Sequence, residues 1–198
     1  MPVENSYLLI GLGNPGREYR GSRHNIGFRL IDRLCVRLNA GGMNLRSKSL
    51  IIKTEVEGRP LILAKPQTYM NLSGSAVQGL LHFYKIPFDH LLVAHDDLDL
   101  PFGSLRIRPG GGPGGQRGMV STIERLGTRD FPRLRMGIGR PPGRMDPKDY
   151  VLQDFSREQE EFLPVILDRA AEAALEFVIN GLNAAMNKHN KDYSQDSE

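Results

Sequence analysis

Apolar and polar residues follow two different periods along this chain, and segments of the two kinds alternate. Residues 7–12 form a short apolar run containing glycine, a pattern typical of a buried strand. Residues 26–40 place apolar side chains at helical spacing, with charged side chains between them. They predict an amphipathic helix for which Asn25 is the natural N-cap.

Strand-like and helix-like segments continue to alternate through the middle of the chain. Further strands are predicted at residues 49–56 and 60–65, which flank a Glu-Gly-Arg turn, and at residues 91–95, 104–109 and 133–141. The last two alternate apolar with cationic residues, so each has one face for the core and one basic face. A second helix is predicted at residues 73–84.

The C-terminal part of the chain is predicted to be helical. Ser156, with Gln159 three residues later, forms a capping-box pattern. Pro164 is typical of a first helical turn, so we expect a second helix to begin there, and the Asn-Gly pair at 180–181 predicts a break before a last short helix. The final residues, 194–198, are expected to be a frayed tail.

Strands interleaved with helices indicate an α/β fold. We expect one domain over residues 1–193, with a mixed, partly parallel β-sheet flanked by helices and the C-terminal helices near the cleft. In such sheets, ligands bind at the carboxyl ends of the strands. Asn14, Asn71 and Asp96 each follow a predicted strand, so we expect them to meet at one edge of the sheet.

Composition narrows the class of protein. The chain has 198 residues, 25% of them charged and 39% apolar, which disfavours collagen, a coiled coil or long disorder. Its single cysteine, Cys35, can form neither an internal disulfide nor a thiolate metal cluster, which points to a reducing compartment, the cytoplasm. No apolar run approaches the ~20 residues of a membrane span, and we expect no targeting segment.

The net charge of +3 is unevenly distributed. Residues 101–148 hold nine arginines and one lysine against three acidic residues, a net of +7, so the other residues carry −4. The same segment contains half of the 22 glycines and seven of the 13 prolines, which makes its backbone rich in turns. This combination favours a phosphate-bearing polymer as partner, although a solvated charged face explains the composition equally well.

A glycine motif near the N-terminus has the spacing of a dinucleotide-binding fingerprint. Residues 11–16, GLGNPG, match G-x-G-x-x-G after a predicted strand. The fingerprint needs a helix that opens at the third glycine and binds the pyrophosphate, whereas helical periodicity here starts only after Asn25. Asp32, near the spacing of a ribose-binding acid, falls inside the predicted helix. We therefore expect no nucleotide cofactor.

The candidate chemistry lies in loops and at strand ends. His24 is either a surface residue or a general base whose second ring nitrogen is held by a carboxylate, for which Asp96 is the best placed. Asp96, Asp97 and Asp99 together suggest a hard-metal site, but turn formation before Pro101 explains the last two better. Because the chain also lacks a cysteine cluster and an H-x-x-x-H spacing, we expect no metal.

Two further motifs each fit two roles. Asn71 either caps the helix that follows it or donates a hydrogen bond to a carbonyl or oxyanion. The run GGGPGG at residues 110–115 lacks the Lys-Ser/Thr ending of a Walker loop. It fits contact with an RNA backbone as well as it fits a phosphate cradle.

Five motifs, in order along nearly the whole chain, resemble the bacterial-type peptidyl-tRNA hydrolase family. They are GLGNPGREYRGSRHNIGF, KPQTYMNLSG, LLVAHDDLDLPFG, RIRPGGGPGGQRG and FPRLRMGIGRP. The resemblance implies a monomeric enzyme, without metal, cofactor, membrane or obligate protein partner. It would hydrolyse the ester between a peptide and the 3′-terminal ribose of tRNA and so recycle tRNA.

The resemblance also assigns roles to single residues. His24 would activate water, Asp96 would orient its ring, and Asn14 would help distinguish N-blocked from free aminoacyl-tRNA. The residues implied to bind the substrate are Asn71, which would contact the peptide backbone or ester, and the cleft-lining Tyr19, Tyr69 and Met70. Those implied to grip acceptor-stem phosphates are Arg106, Arg108 and Arg135.

The chain departs from the family pattern after the glycine loop. Many members have His-Asn where this chain has Gln116-Arg117. Arginine can hold a phosphate but cannot accept a hydrogen bond, so Arg117 must bind differently or leave that contact to another group. Two other function classes stay open: a non-catalytic RNA-binding relative like the intron-splicing factors of this fold, and a nucleotide-dependent oxidoreductase.

Overall fold

A computed structural model describes residues 5–190 of the chain. The domain boundary predicted at residue 193 and the tail predicted at 194–198 lie outside this range. The described residues contain seven strands: β1 Tyr7–Gly11, β2 Asn44–Arg46, β3 Ser49–Val56, β4 Arg59–Pro66, β5 Leu91–Asp97, β6 Leu105–Arg108 and β7 Arg133–Gly137. The α-helices are α1 Ile26–Arg37, α2 Ser73–Tyr84, α3 Arg117–Leu126, α4 Pro147–Leu152, α5 Arg157–Asn180 and α6 Leu182–His189.

The strands form one mixed sheet in the order β2-β3-β4-β1-β5-β7-β6. The central strands β4, β1, β5 and β7 are parallel to one another. The outer strands pair antiparallel, β2 with β3, β3 with β4, and β6 with β7. The four parallel strands therefore end at the same edge of the sheet, as the predicted α/β fold requires.

Helices cover both faces of the sheet, and strand alternation divides the core between them. On β1, Leu9 packs into a core formed with α1, α5 and α6, whereas Leu8 and Ile10 pack into a second core formed with α2 and α3. The molecule is thus a three-layer sandwich of helices, sheet and helices. None of the helices within residues 5–190 is long and apolar enough to cross a membrane.

Gly11 has a packing role instead of a nucleotide-binding one. A Cβ at this position would lie 2.0 Å from the carbonyl oxygen of Gly27, so glycine is what lets α1 approach β1. After Gly16, whose φ is 117°, the chain forms only a short 3₁₀ helix, Arg17–Tyr19. The helix N-terminus that a bound pyrophosphate needs is missing there, so the fold gives the oxidoreductase hypothesis no support.

Two predictions about helix ends are wrong. The chain does not start a new helix at Pro164, because α5 continues through it. Pro164 is exposed, so the carbonyl four residues earlier, which loses its N–H partner, faces the solvent side of the helix. Asn25 precedes α1 but its side chain does not cap the helix.

Three short elements were missing from the predicted set. They are β2, α3 and α4. The signal for α3 is present in the sequence, because Met119, Ile123 and Leu126 are spaced at helical intervals before Gly127, which ends the helix with a positive φ.

Candidate active site

A cleft of about 450 Å³ opens at the carboxyl edge of the parallel strands. It is lined by the loops after β1 and β4, the end of β5, the start of α3, and α4. All seven residues predicted as catalytic or substrate-binding line it: Asn14, Tyr19, His24, Tyr69, Met70, Asn71 and Asp96. Of the helices near the C-terminus, α4 lines the cleft, through Pro147, Lys148, Val151 and Leu152.

His24 and Asp96 meet, although 72 residues separate them. Nδ1 of His24 lies 2.8 Å from Oδ2 of Asp96, and both side chains are buried. Asp96 lies within β5, not after it, and His24 lies in a 3₁₀ helix, Arg23–Asn25, directly before α1. The carboxylate can only accept, so in the neutral imidazole Nδ1 carries the proton and Nε2 has a free lone pair.

Burial and charge act in opposite directions on this pair. Burial lowers the pKa of His24, but the charge and hydrogen bond of Asp96 raise it by more, so the pKa is above its ordinary value. The positive charge of Arg117 lowers the pKa of His24 and so opposes this rise. Burial raises the pKa of Asp96, whereas His24 and Gln116 lower it by more, leaving it below the ordinary value. Asp96 is therefore ionised at neutral pH.

Asn14 is fixed by three hydrogen bonds. Its Oδ1 accepts from the backbone N–H of Met70 at 2.7 Å. Its backbone N–H donates to Oδ1 of Asn25 at 2.8 Å, and its backbone carbonyl accepts from Nδ2 of Asn25 at 2.9 Å. Asn25 is thus used to hold the Asn14 loop, which explains why it does not cap α1. The remaining Nδ2 of Asn14 is a donor on the cleft wall.

Asn71 and the aromatic residues form the mouth of the cleft. Asn71 lies in a 3₁₀ helix, Met70–Leu72, which follows β4 after a short loop, and it is exposed. It does not cap α2, whose N-cap position is Leu72, so its amide is available to a ligand. Tyr69 is 60% exposed and Tyr19 is half-buried.

Gln116, which the sequence marks only as a departure from the family pattern, is part of the site. Nε2 of its buried side chain donates to Oδ1 of Asp96 at 3.1 Å. Its neighbour Arg117 is exposed on the cleft wall, at the first residue of α3. The departure from the family pattern at these two positions therefore falls inside the cleft.

A second depression, of about 330 Å³, lies beside the cleft and is formed largely by the basic residues 101–148. Arg108, Arg135 and the glycine loop line it. Nε of Arg135 donates to Oδ2 of Asp97 at 2.6 Å. Asp97 Oδ1 also accepts from the N–H of Asp99 at 2.8 Å, a turn contact of the kind predicted before Pro101. Within residues 5–190, no group of three or more metal-ligating side chains occurs.

Two arginines of the basic strands donate to carbonyl groups of the protein itself. Arg106 donates to the carbonyl of Asn190 at 2.9 Å, so it holds the end of α6. Arg133 is only 2% exposed, so the basic face predicted for its strand is not exposed along its whole length. It donates to the carbonyls of Gly111 at 2.7 Å and Arg129 at 2.8 Å. Burial, together with the charge of Arg135, lowers the pKa of Arg133 to about 10.

Arg23 connects the 3₁₀ helix that carries His24 to the C-terminal helices. Its guanidinium stacks 4.1 Å from the ring centre of Tyr150 and donates to the Tyr150 carbonyl at 3.3 Å. It also donates to Oε1 of Gln159, at the start of α5, at 3.1 Å. No sequence pattern indicates this role, because Arg23 resembles any other loop cation until its partners are known.

The fold and the cleft together define a class of protein. The cleft brings the buried imidazole and carboxylate of His24 and Asp96 next to the amides of Asn14 and Asn71, and these groups suit a hydrolase in which a base activates water. A sequence model described as peptidyl-tRNA hydrolase matches residues 8–197. The chain belongs to the peptidyl-tRNA hydrolase family.

Individual relatives agree with this assignment. A peptidyl-tRNA hydrolase of Chloroflexus aggregans is 52% identical over 185 residues, which cover 93% of this chain and 98% of the relative. A chloroplastic peptidyl-tRNA hydrolase of Arabidopsis thaliana is 48% identical over 92% of this chain and 64% of its own length. The crystal structure of the Acinetobacter baumannii peptidyl-tRNA hydrolase is 32% identical, with a TM-score of 0.87, over 95% of this chain and 96% of that one. These findings support hydrolysis over a non-catalytic RNA-binding role.

Proposed function

We propose that this chain hydrolyses the ester between a peptide and the 3′-terminal ribose of tRNA, with His24 as the general base. The observation that carries the proposal is the 2.8 Å contact between His24 and Asp96 inside the cleft of a peptidyl-tRNA hydrolase fold. Release of the peptide returns the tRNA to use in translation.

The geometry gives the order of proton transfers. Nε2 of His24 takes a proton from water as the water oxygen attacks the ester carbonyl, and the imidazolium that forms is stabilised by Asp96. When the tetrahedral intermediate collapses, the C–O bond to the ribose breaks, and the imidazolium returns the proton to the ribose oxygen. A positioned base of this kind contributes roughly 10²–10⁴-fold to the rate.

The amides of Asn14 and Asn71 are proposed to bind the acyl part of the substrate. The Nδ2 group of Asn14 is directed by the bond of its Oδ1 to Met70, so it can donate to a peptide carbonyl. A free α-ammonium group offers no such acceptor, which suits preference for N-blocked aminoacyl-tRNA. The exposed aromatic surface of Tyr69 and the half-buried Tyr19 line the path of the peptide.

The tRNA phosphates are proposed to bind the cationic surface beside the cleft. Arg108 and Arg135 line the second depression, next to the turn-rich glycine loop. Arg106 lies on β6, the strand that also carries Arg108, and pairs in register with Arg135 on β7. Its side chain, which binds the carbonyl of Asn190, extends this surface. Arginine suits phosphate because its planar donors bind two oxygens at once.

The cytoplasmic location and the monomeric state also belong to the proposal. The single cysteine supports a reducing compartment. The plant relative named above is described as chloroplastic, so members of the family work in more than one compartment. Light scattering coupled to gel filtration would measure the mass in solution, which we expect to match one 22.1 kDa chain.

The proposal is tested by incubating the protein with N-acetyl-aminoacyl-tRNA and, separately, with unblocked aminoacyl-tRNA. We expect release of the N-blocked amino acid by the wild type, little release from the unblocked substrate, and a loss of rate of about 100-fold or more in His24→Ala. His90→Ala is the matched control, because His90 lies at the opposite end of β5 and stacks on Tyr7. Absence of hydrolysis by the wild type, or equal rates for wild type and His24→Ala, would contradict the proposal.

A further inference from the structure

The side chain of Gln116 is buried between the carboxylate of Asp96 and the first turn of α3. It is 8% exposed. Its Oε1 accepts from the backbone N–H of Met119 at 2.7 Å, and its Nε2 donates to Oδ1 of Asp96 at 3.1 Å. Because a backbone N–H can only donate, Oε1 must face Met119, and the NH₂ group is thereby directed at the carboxylate.

Both oxygens of Asp96 are therefore held by donors. Oδ2 takes the contact with Nδ1 of His24 at 2.8 Å, and Oδ1 takes the contact with Gln116. The result is a chain of hydrogen bonds from the backbone of α3 through Gln116 and Asp96 to His24. Each member has one orientation that satisfies its neighbours.

Capping of α3 does not by itself explain a glutamine at this position. The residues preferred as N-caps are Ser, Thr, Asp and Asn, whose short side chains reach the first free N–H groups of the helix. Gln116 is one methylene longer than asparagine, and this length brings its amide within hydrogen-bonding distance of Asp96 while Oε1 still caps Met119.

We infer that Gln116 is a positioning residue for His24 and acts through Asp96. The inference rests on the proposed function, because it takes His24 to be the base. By donating to Oδ1, Gln116 prevents the carboxylate from rotating, so that Oδ2 stays against Nδ1 and the Nε2 lone pair stays directed at the substrate water. Without this hydrogen bond, Asp96 can turn away from the imidazole.

Gln116→Ser separates capping from positioning. Serine is a preferred N-cap, so α3 keeps its cap, but the hydroxyl is too short to reach Asp96. We expect kcat on N-acetyl-aminoacyl-tRNA to fall about tenfold with KM within about twofold. The thermal midpoint is expected to fall by a few degrees, because Oδ1 of Asp96 loses its donor in a buried site, so positioning is read from kcat and the His24 titration. The NMR titration midpoint of the His24 ring is expected to move to lower pH, because a rotated carboxylate stabilises the imidazolium less.

Gln116→Glu provides the matched change of protonation. Glutamate keeps an acceptor for Met119, but its second oxygen would face Oδ1 of Asp96, and two buried carboxyl groups at this distance cannot both ionise near neutral pH. A proton held between them replaces the N–H donor, and its loss adds negative charge beside His24, so we expect a second pH dependence of kcat that the wild type lacks. A purely structural role for Gln116 would change the thermal midpoint and leave the pH profile of kcat and the His24 titration in place.

Three outcomes are decisive. Wild-type kcat and an unshifted His24 titration in Gln116→Ser would overturn the inference, and Gln116→Asn, an amide cap one methylene shorter, answers the same question if the serine variant does not fold. If His24→Ala is inactive while both shortened variants are unimpaired, only this inference fails. If His24→Ala retains full activity, the proposed function fails with it.

Discussion

At His24, two neighbouring charges of opposite sign act on one imidazole. Asp96 raises the pKa of His24 and Arg117 lowers it. Because the base must be neutral to accept a proton, hydrolysis is expected to rise with pH through the pKa of His24 and to level off above it. Arg117 therefore extends activity toward lower pH, which gives this cation a function although it cannot accept a hydrogen bond as an asparagine can.

Two substitutions should move the acid limb of the pH profile in opposite directions. Asp96→Asn removes the charge that raises the pKa of His24, so the limb moves to lower pH, and the plateau rate falls about 100-fold because the ring loses its orientation. Arg117→Gln removes the charge that lowers this pKa, so the limb moves to higher pH with a smaller loss of rate. The measurement is kcat/KM against pH for both variants and the wild type. Shifts in the same direction would contradict opposing effects of the two charges on His24.

At the scale of the elements, the position of α1 depends on the close contact of Gly27 with the backbone of Leu12 and Ala94. A Cβ on Gly27 would lie 2.6 Å from the backbone nitrogen of Leu12 and 2.8 Å from the carbonyl oxygen of Ala94. The helix that follows His24 therefore rests directly on β1 and β5, and β5 carries Asp96. The distance between the side chains of His24 and Asp96 depends on this contact.

Gly27→Ala tests the placement of α1. Alanine favours a helix by about 1 kcal/mol over glycine, but forcing α1 away from two backbone strands costs about 3 kcal/mol. We expect a net loss of about 2 kcal/mol in the free energy of unfolding by urea, together with reduced activity. Gly79→Ala on α2 is the control, since a Cβ there meets only the side chain of Ser47, at 3.2 Å. Equal effects of the two substitutions would show that α1 is not positioned in this way.

Elements with a clear hydrophobic period along their own residues can be predicted from the sequence. Features that depend on contacts between distant residues cannot. The predicted hairpin strands and the helix beginning at Ser73 agree closely with β3, β4 and α2. Helix α3 is an exception, because its apolar residues have helical spacing and it was still missed. Its buried side also carries the polar Ser121, whose Oγ accepts from the N–H of Gly74. The break expected at Pro164 failed because packing of α5 across the core outweighs the absence of one hydrogen bond.

The residues of the candidate site also fall into these two groups, those marked by local motifs and those whose roles depend on distant partners. His24, Asp96, Asn14 and Asn71 were identified because motifs and strand ends mark them, and they share one cleft. The roles of Gln116 and Arg23 depend on partners 20 and 136 residues away, which no local pattern specifies. For Arg133 the local pattern is right and the burial is not evident from it. Alternation along the strand places Arg133 on the basic face, but the glycine loop covers its side chain.

For the whole molecule, the charge of +7 in residues 101–148 predicts salt-dependent binding of tRNA. Replacing Arg108 or Arg135 with alanine should weaken binding of deacylated tRNA and reduce the slope of log Kd against log salt by about 1 for each phosphate that is no longer neutralised. Fluorescence anisotropy at several salt concentrations measures this slope. Arg59→Ala, an exposed change at the start of β4, should leave it unchanged. A wild-type slope in both cleft-side variants would show that these arginines do not bind phosphate.

The contacts of Arg23 have a consequence for how the enzyme is made. His24 is synthesised early, but the side chain of its neighbour Arg23 binds residues of the segment 150–159, among them Tyr150, Gln153 and Gln159. A chain still growing on the ribosome is itself a peptidyl-tRNA, the kind of molecule this family cleaves. Because this segment emerges late, we expect a chain that ends before residue 150 to hydrolyse N-acetyl-aminoacyl-tRNA far more slowly than the full chain, so that the protein spares its own tether during synthesis.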